Sequence, residues 1–386
     1  MNSKTFCAAP WIQLDVTPTG HLQPCCVWKT KKDDRKYHFT EFEEWVNSNT
    51  MKTVRQNLHD GVAIPECHNC TVLDNVGTAS LRQRYNEKAK EYYSHAALDT
   101  ENWTTSAEDI VVLDLKLGNL CDLKCVMCTG ESSSQILTEY KLHKEKFDSI
   151  SGYYSPDIKS NFSWPLSEEF KQFINRFEHN LKSIKFTGGE PTVVPYVVEF
   201  LESIEHPENL VDLVLVTNAN SYNKRMFDVL TRFKMVNVTI SLEGVDQLNE
   251  MIRFNSSWKQ INENIMRYKA MSNVFISINH VLQAFSVKTL VPLLHWCESM
   301  QLRLGLTVLD GPHYLRLNSV LPPVIEQFKL DLIEAKSTVV LNQHIIDSTL
   351  KLINDTYQFD VHSLTKRKKY TILLDDLRKT KLSSII

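Results

Sequence analysis

Residues 110–130, IVVLDLKLGNLCDLKCVMCTG, run from an apolar, strand-like stretch directly into three cysteines, Cys121, Cys125 and Cys128. A CxxxCxxC spacing offers three thiolates to an iron–sulfur cube. No further cysteine follows nearby, so the fourth iron is left without a protein ligand and open to a chelating small molecule. Some sixty residues on, residues 186–191 read FTGGEP, again directly after a short apolar run.

From Ile110 onward short apolar runs alternate with amphipathic stretches, the texture of repeated βα units around a parallel sheet. Strands are expected at Val111 to Lys116, Ser183 to Thr187, Leu213 to Thr217, Val236 to Ser241, Phe275 to Val281 and Arg303 to Val308. Helices are expected at Ser133 to Phe147, Pro195 to Ile204, Lys224 to Phe233, Trp258 to Met271 and Leu290 to Met300. Parallel barrels carry their chemistry at the C-terminal ends of the strands. The cysteine triad follows the first strand, Gly188 to Pro191 the second, Thr217 to Ala219 the third and Ser241 to Gly244 the fourth. A chance cysteine cluster has no reason to sit at such an end.

The triad and the GGEP element, in this order and on this strand rhythm, resemble the radical S-adenosylmethionine (radical SAM) enzymes. The resemblance implies an α/β fold, a partial (β/α)6 barrel, carrying a four-iron cluster on Cys121, Cys125 and Cys128. It further implies that the cluster's open iron binds S-adenosylmethionine, which is reductively cleaved to a 5'-deoxyadenosyl radical that takes hydrogen from a substrate. Gly188 and Gly189 let backbone approach the cofactor, and Glu190 accepts from its ammonium group. By position Asn218 corresponds to a nucleoside contact, Ser241 and Glu243 to ribose or methionine contacts, and Arg253 to a cation against the cofactor carboxylate. Met127 stands where the family often has an aromatic residue against adenine. Each also has a plain reading: Asn218 and Ser241 as loop caps, Arg253 as a solvated helix residue, and Lys116 and Lys124 as solvated lysines beside the cluster.

Upstream lie Cys7, the adjacent Cys25 and Cys26, and Cys67 and Cys70 in ECHNC. The stretch WIQLDVTPTGHLQPCC alternates like a hairpin turning at Pro18 to Gly20, which brings Cys7 and Cys25 together. This spacing resembles the SPASM and twitch domains that hold auxiliary iron–sulfur clusters in radical SAM enzymes, with Cys67 and Cys70 completing four thiolates. In the best known members that domain follows the barrel; here it precedes it. Four cysteines suit tetrahedral zinc equally well, and Cys26 competes with Cys25 as the ligand. Cys297, alone in LVPLLHWCESM, reads as a buried structural residue.

The expected organisation is an auxiliary domain at 1–75, a helical linker at 76–109, the barrel at 110–310 and a helical extension at 311–386. Within the linker, SLRQRYNEKAKEYYSHAAL reads as an exposed helix, and residues 321–355 read as two helices. The tail, with KRKK from Lys366, reads as a solvated terminal helix rather than a docking patch. Hydrophobic residues make up 42% and charged residues 23%, as in globular chains, and the net charge of -3 gives no electrostatic argument for nucleic acid or an anionic membrane. No secretory signal or membrane span is legible, which with nine cysteines points to a reducing, cytoplasmic setting.

The expected activity is radical modification of a peptide or protein side chain by oxidation, cross-linking or epimerisation, fed by an external donor of flavodoxin or ferredoxin type. A dehydrogenase or epimerase of a small molecule, an aminosugar or nucleoside, is the second reading. A zinc-stabilised binding protein is the third.

Overall fold

The computed structural model describes residues 4–28, 37–92, 98–150, 160–177, 179–309 and 311–386. Its strands are β1 (Gln13–Val16), β2 (Leu22–Gln23), β3 (Val112–Leu115), β4 (Lys124–Cys125), β5 (Ser183–Phe186), β6 (Asp212–Thr217), β7 (Val236–Ser241), β8 (Arg253–Phe254), β9 (Val274–Leu282) and β10 (Arg303–Val308). The six strands expected from the sequence are β3, β5, β6, β7, β9 and β10, displaced by at most a residue or two. The chain divides into two compact units. One comprises Met1–Asn119, Lys159–Val216 and Asn223–Asn237; the other comprises Leu120–Ile158, Thr217–Tyr222 and Val238–Ile386.

In the first unit the strand order is β6-β5-β3-β1-β2. All neighbours are parallel except β1 and β2, which form the expected hairpin. Its turn closes with a Gly20 N–H donated to the Thr17 carbonyl at 2.9 Å. Gly20 is required there twice over, since φ is +83° and an added Cβ would sit 2.3 Å from the His38 ring. The hairpin does more than place cysteines, because β1 also lies parallel beside β3 and is buried on both faces. Arg55, fully buried on the helix Asn49–Asp60, ties this N-terminal segment down by donating to the carbonyls of Pro10, Val46 and Trp103. Burial drops its pKa to about 10.

The linker helix spans Leu81–Tyr92 and departs from the exposed helix expected: Arg82, Tyr85 and Ala89 recur at helical spacing and are buried. Residues 93–97 of that stretch lie outside the described residues.

In the second unit β10, β9 and β7 are neighbours, with β9 and β10 parallel, and β4 and β8 form a separate antiparallel pair. The expected helix at 133–147 is two, Ser134–Leu142 and Lys144–Asp148, broken at His143. The helix expected from Leu290 begins four residues earlier, at Ser286, and carries Pro292 inside it. The two late helices are Pro322–Ala335 and Gln343–Thr356.

The terminal helix, Val361–Arg378, is not solvated as the sequence suggested. Leu364, Arg367, Tyr370, Thr371, Leu374 and Arg378 form a buried stripe, so one arginine of KRKK points inward while its lysine neighbours face water. Among the described residues no helix is long and apolar enough to cross a membrane.

Candidate functional site

The cysteine loop is held by backbone as much as by packing. Strand β4 carries Cys125 and pairs antiparallel with β8 in a register that sets Cys125 opposite Arg253. Val126 N–H donates to the Ile252 carbonyl at 2.9 Å, and Cys128 N–H to the Cys125 carbonyl at 3.2 Å. Ser133, which caps the following helix, donates its hydroxyl to the Leu123 carbonyl at 2.7 Å. Cys121, Cys125 and Met127 are buried in one apolar cluster with Tyr140, Phe285, Tyr314 and Tyr370, and Cys128 packs against it. Met127 is therefore a wall residue of the cysteine loop.

The loop's carbonyls are braced from the C-terminal helix. Tyr370 donates its hydroxyl to the Val126 carbonyl at 3.0 Å, and Arg378 Nη1 donates to the Lys124 carbonyl at 2.8 Å. Arg378 also meets Glu139 at 2.6 Å, and Lys124 pairs with the same carboxylate at 2.9 Å, so Lys124 is not a free lysine. Against the effect of burial, Arg378 and Lys124 hold Glu139 below the usual carboxylate range.

The Cys128 S–H donates to Cys125; with Arg253 this holds Cys125 below the usual thiol range despite burial, while Cys128 is pushed well above it. Arg253 is far from a solvated helix residue. Its Nη1 lies 3.6 Å from Cys125 Sγ, and its Nη2 donates to Glu243 Oε1 at 2.7 Å. Burial alone would lower the Arg253 pKa, but Cys125 and Glu243 raise it. Glu243, wholly buried, also accepts from Val281 N–H at 3.1 Å and Gln283 Nε2 at 3.4 Å. Arg253, Glu243 and Cys125 thus form one buried constellation.

Asn218 is positioned by a residue the sequence reading missed. Asp122, between the first two cysteines, accepts from Asn218 Nδ2 at 2.8 Å, Asn220 Nδ2 at 2.9 Å and Ser221 Oγ at 2.8 Å. The loop after β6 is so tied to the cysteine loop. Only the acid directly after Cys121 in CDLKC hinted at this, and an acid there reads as solvated. Ser241 closes β7 and is half-buried.

In the other unit, Gly188 and Gly189 follow β5 with φ of +72° and +59°. An added Cβ on Gly188 would meet Lys116 Cβ at 2.7 Å. Glu190 is buried, and its Oε1 accepts from the Thr192 N–H at 3.1 Å and hydroxyl at 2.8 Å, which shapes the GGEP turn. Lys116 is tied to Asp15 and lies 3.9 Å from Asp114, so it too is no solvated lysine.

The N-terminal cysteines gather in the same unit. Cys7 lies within electrostatic reach of Cys67 and Cys70, and Cys25 within reach of Cys7 and Cys70. Burial pushes Cys7 up to about 12 and Cys67 up to about 11. Cys26 turns the other way: its sulfur lies 3.4 Å from Lys185 Nζ and within 4.8 Å of carboxylate oxygens of Asp15 and Asp114. Cys297 is fully buried and its thiol is pushed up to about 12, as fits a core residue.

Cys121 and Cys125 are buried and Cys128 is half-buried in one loop that follows a strand of a parallel α/β sheet, a donor set that could hold an iron–sulfur cluster. Residues 115–295, just under half of the chain, match the family described as the Radical SAM superfamily. The match supports an enzyme, and that family implies a four-iron cluster and S-adenosylmethionine. GTP 3',8-cyclase of Campylobacter lari is 29% identical over 115 residues, which cover 28% of this chain and 34% of that protein. Among solved structures, native anSMEcpe with bound AdoMet has a TM-score of 0.38 at 16% identity, covering 58% of this chain and 59% of that one. Streptococcus suis SuiB bound to precursor peptide SuiA has a TM-score of 0.40 at 15% identity, covering 77% of this chain and 64% of that one. The chain thus spans about a third of the curated relative and less than two thirds of either structure. At these scores the structural likeness carries no argument by itself.

Proposed function

We propose that the protein is a radical SAM enzyme acting on a peptide or protein side chain, with an auxiliary iron–sulfur site on Cys7, Cys25, Cys67 and Cys70. The observation that carries the radical chemistry is the three-thiol donor set of Cys121, Cys125 and Cys128, gathered in one loop with the first two buried and Cys128 packed against the same cluster. When bound, the cluster supplies the electron that cleaves S-adenosylmethionine to methionine and a 5'-deoxyadenosyl radical, which takes a hydrogen atom from the substrate.

The protein's part is to hold and to exclude. Arg253 offers positive charge beside Cys125, and Glu243 fixes its guanidinium in place. Asn218, set by Asp122, and Ser241, at the end of β7, offer polar groups to the nucleoside. Met127 and the buried aromatic residues around the loop keep water and stray hydrogen donors from the radical. Gly188, Gly189 and Glu190 form the turn that would receive the methionine end.

For the N-terminal set, iron–sulfur is taken on the resemblance to auxiliary-cluster domains, and four thiolates suit tetrahedral zinc as the alternative. The boundaries 1–75, 76–109, 110–310 and 311–386 are proposed for the auxiliary module, linker, partial barrel and extension, with electrons supplied by an external flavodoxin- or ferredoxin-type donor.

SuiB has been solved bound to precursor peptide SuiA and anSMEcpe bound to peptide Cp18Cys, and a peptide is the first reading here. A small-molecule substrate is the second reading, favoured by the GTP 3',8-cyclase relative. The test is anaerobic reconstitution, iron and sulfide analysis, and 5'-deoxyadenosine release in wild type and Cys125→Ala. About eight irons per chain with cysteine-dependent release support the proposal. Absence of iron and of cleavage in wild type would refute it.

A further inference from the structure

Strand β9 and the helix after it, Ser286–Ser299, bring a histidine, a glutamine and a serine to Glu243. His280, Gln283 and Glu243 have no exposed surface, and Ser286 is 1% exposed. The His280 Nε2 lies 2.8 Å from Ser286 Oγ, and its Nδ1 lies 3.2 Å from the Leu242 carbonyl and 3.5 Å from Glu243 Oε2. Backbone pairing sets this meeting, since the Leu242 N–H donates to the Asn279 carbonyl at 3.0 Å and so lays the end of β7 beside His280. A polar cluster at this depth is costly unless its members satisfy one another.

The hydrogen-bond roles follow from what each atom faces. Ser286 Oγ accepts from the Gln283 N–H at 3.0 Å, and its own proton has two acceptors in reach, His280 Nε2 at 2.8 Å and the Val281 carbonyl at 3.4 Å. The shorter contact makes Nε2 an acceptor. Nδ1 faces a carbonyl and a carboxylate, both acceptors, and so carries the ring's hydrogen. His280 is thus a neutral imidazole locked in the Nδ1–H tautomer. Burial, which lowers its pKa, favours the same state.

Glu243 is thereby held by both oxygens. Its Oε2 takes the Val281 N–H at 3.1 Å and Gln283 Nε2 at 3.4 Å and faces the His280 Nδ1–H. Its Oε1 is left for Arg253 Nη2 at 2.7 Å, and Arg253 Nη1 reaches Cys125 Sγ at 3.6 Å. Ser286, His280, Glu243, Arg253 and Cys125 form one line of contacts. A serine, a histidine and an acid in this order also make the triad of a hydrolase. That reading fails here, because a hydroxyl with 1% exposure meets no substrate and the acid is committed to an arginine.

We propose that His280 is a positioning residue: its Nδ1–H, fixed by Ser286, anchors Glu243 so that Arg253 stays against Cys125 and raises the reduction potential of a cluster bound there. The proposal deepens the radical SAM reading and rests on it. Net charge and hydrogen bonds at the sulfurs set the potential of an iron–sulfur centre. A cation held beside Cys125 Sγ favours the reduced, more negative cluster.

The test compares two variants of the full, anaerobically reconstituted chain that break opposite sides of the ring. His280→Asn sets its amide nitrogen near the place of Nδ1 and keeps a donor toward Glu243. His280→Gln sets its amide near the place of Nε2, reaches Ser286 and leaves Glu243 without that donor. Reduction is followed by electron paramagnetic resonance, on the signal that is absent from Cys125→Ala. At equal iron content, His280→Gln is expected to lower the midpoint potential and His280→Asn to hold it near that of wild type. A histidine that only fills space would move both variants alike, so equal shifts, or no shift in His280→Gln, overturn the proposal. Nitrogen-15 NMR of the histidine-labelled, metal-free wild type gives a readout that needs neither variant, the ring being the one whose Nε2 signal moves in Ser286→Ala. A neutral Nδ1–H ring is expected; an Nε2–H tautomer or an imidazolium at neutral pH overturns the proposal. A wild type lacking the Cys125-dependent signal would overturn the radical SAM reading itself, while the tautomer reports separately on the line of contacts.

Discussion

Replacing Arg253 by methionine isolates the buried constellation at the cysteine loop. The guanidinium meets Glu243 at 2.7 Å and Cys125 Sγ at 3.6 Å, and Glu243 has no exposed surface. Methionine keeps much of the side-chain volume and removes the charge. Glu243 then retains Val281 N–H and Gln283 Nε2 as donors at 3.1 and 3.4 Å, with the buried His280 Nδ1 3.5 Å from its Oε2. Removing one member of a buried ion pair typically costs about 3–5 kcal/mol, because the other charge stays buried and uncompensated. The two remaining donors place this case toward the lower end, about 3 kcal/mol. Equilibrium urea unfolding at neutral pH, with thiols reduced and without metal, reads the loss as a lower midpoint at unchanged slope. Adding Glu243→Gln to Arg253→Met removes the orphaned charge and should recover more than half of the loss. If Arg253→Met costs less than about 1 kcal/mol, or the double variant is no more stable than the single, the pair is solvated and the reasoning fails.

Cys25→Ser should strip metal from the N-terminal set while Cys26→Ser leaves it, because Cys25 faces Cys7 and Cys70 and Cys26 faces Lys185; equal losses in metal analysis would contradict this assignment. Tyr370→Phe leaves the Val126 carbonyl without its hydroxyl donor and should cost about 1–3 kcal/mol in the same unfolding assay; a neutral effect would mean the terminal helix does not brace the loop. Gly188→Ala must accommodate φ of +72° and a Cβ 2.7 Å from Lys116, so both stability and S-adenosylmethionine affinity should fall; unchanged binding by equilibrium dialysis would exclude a role for that turn. Burial raises Asp15 from 3.8 to about 6, more than Lys116 lowers it, so the folded chain favours the protonated acid. Its contribution to stability is full below about pH 4 and is lost as pH rises through about 6, a window that Asp15→Asn should flatten; identical pH profiles would show that Asp15 does not titrate there.

How much was legible follows from the range of each interaction. The six strands and the cysteine loop were readable because apolar runs, turn residues and ligand spacing are local signals carried by a dozen residues or fewer. The hairpin of β1 and β2 was readable for the same reason. The failures were of phase or of distance. KRKK looks solvated as a string, but a rotation of about 100° per residue turns Arg367 inward with Tyr370 and Leu374 while its neighbours face water. Asp122 looks like a loop acid until the loop after β6 brings three donors to it.

The sequence by itself determined the α/β class and the placing of three thiols in one loop after a strand, since thiol spacing and strand rhythm are properties of contiguous residues. Only the tertiary structure decided that β1 joins the sheet beside β3, a pairing of segments about a hundred residues apart made through backbone groups that every residue carries. It alone also decided which of two adjacent cysteines faces the other thiols, and that Ser286, His280 and Glu243 meet in one buried line. Such relations depend on register between distant strands, and no local pattern encodes register.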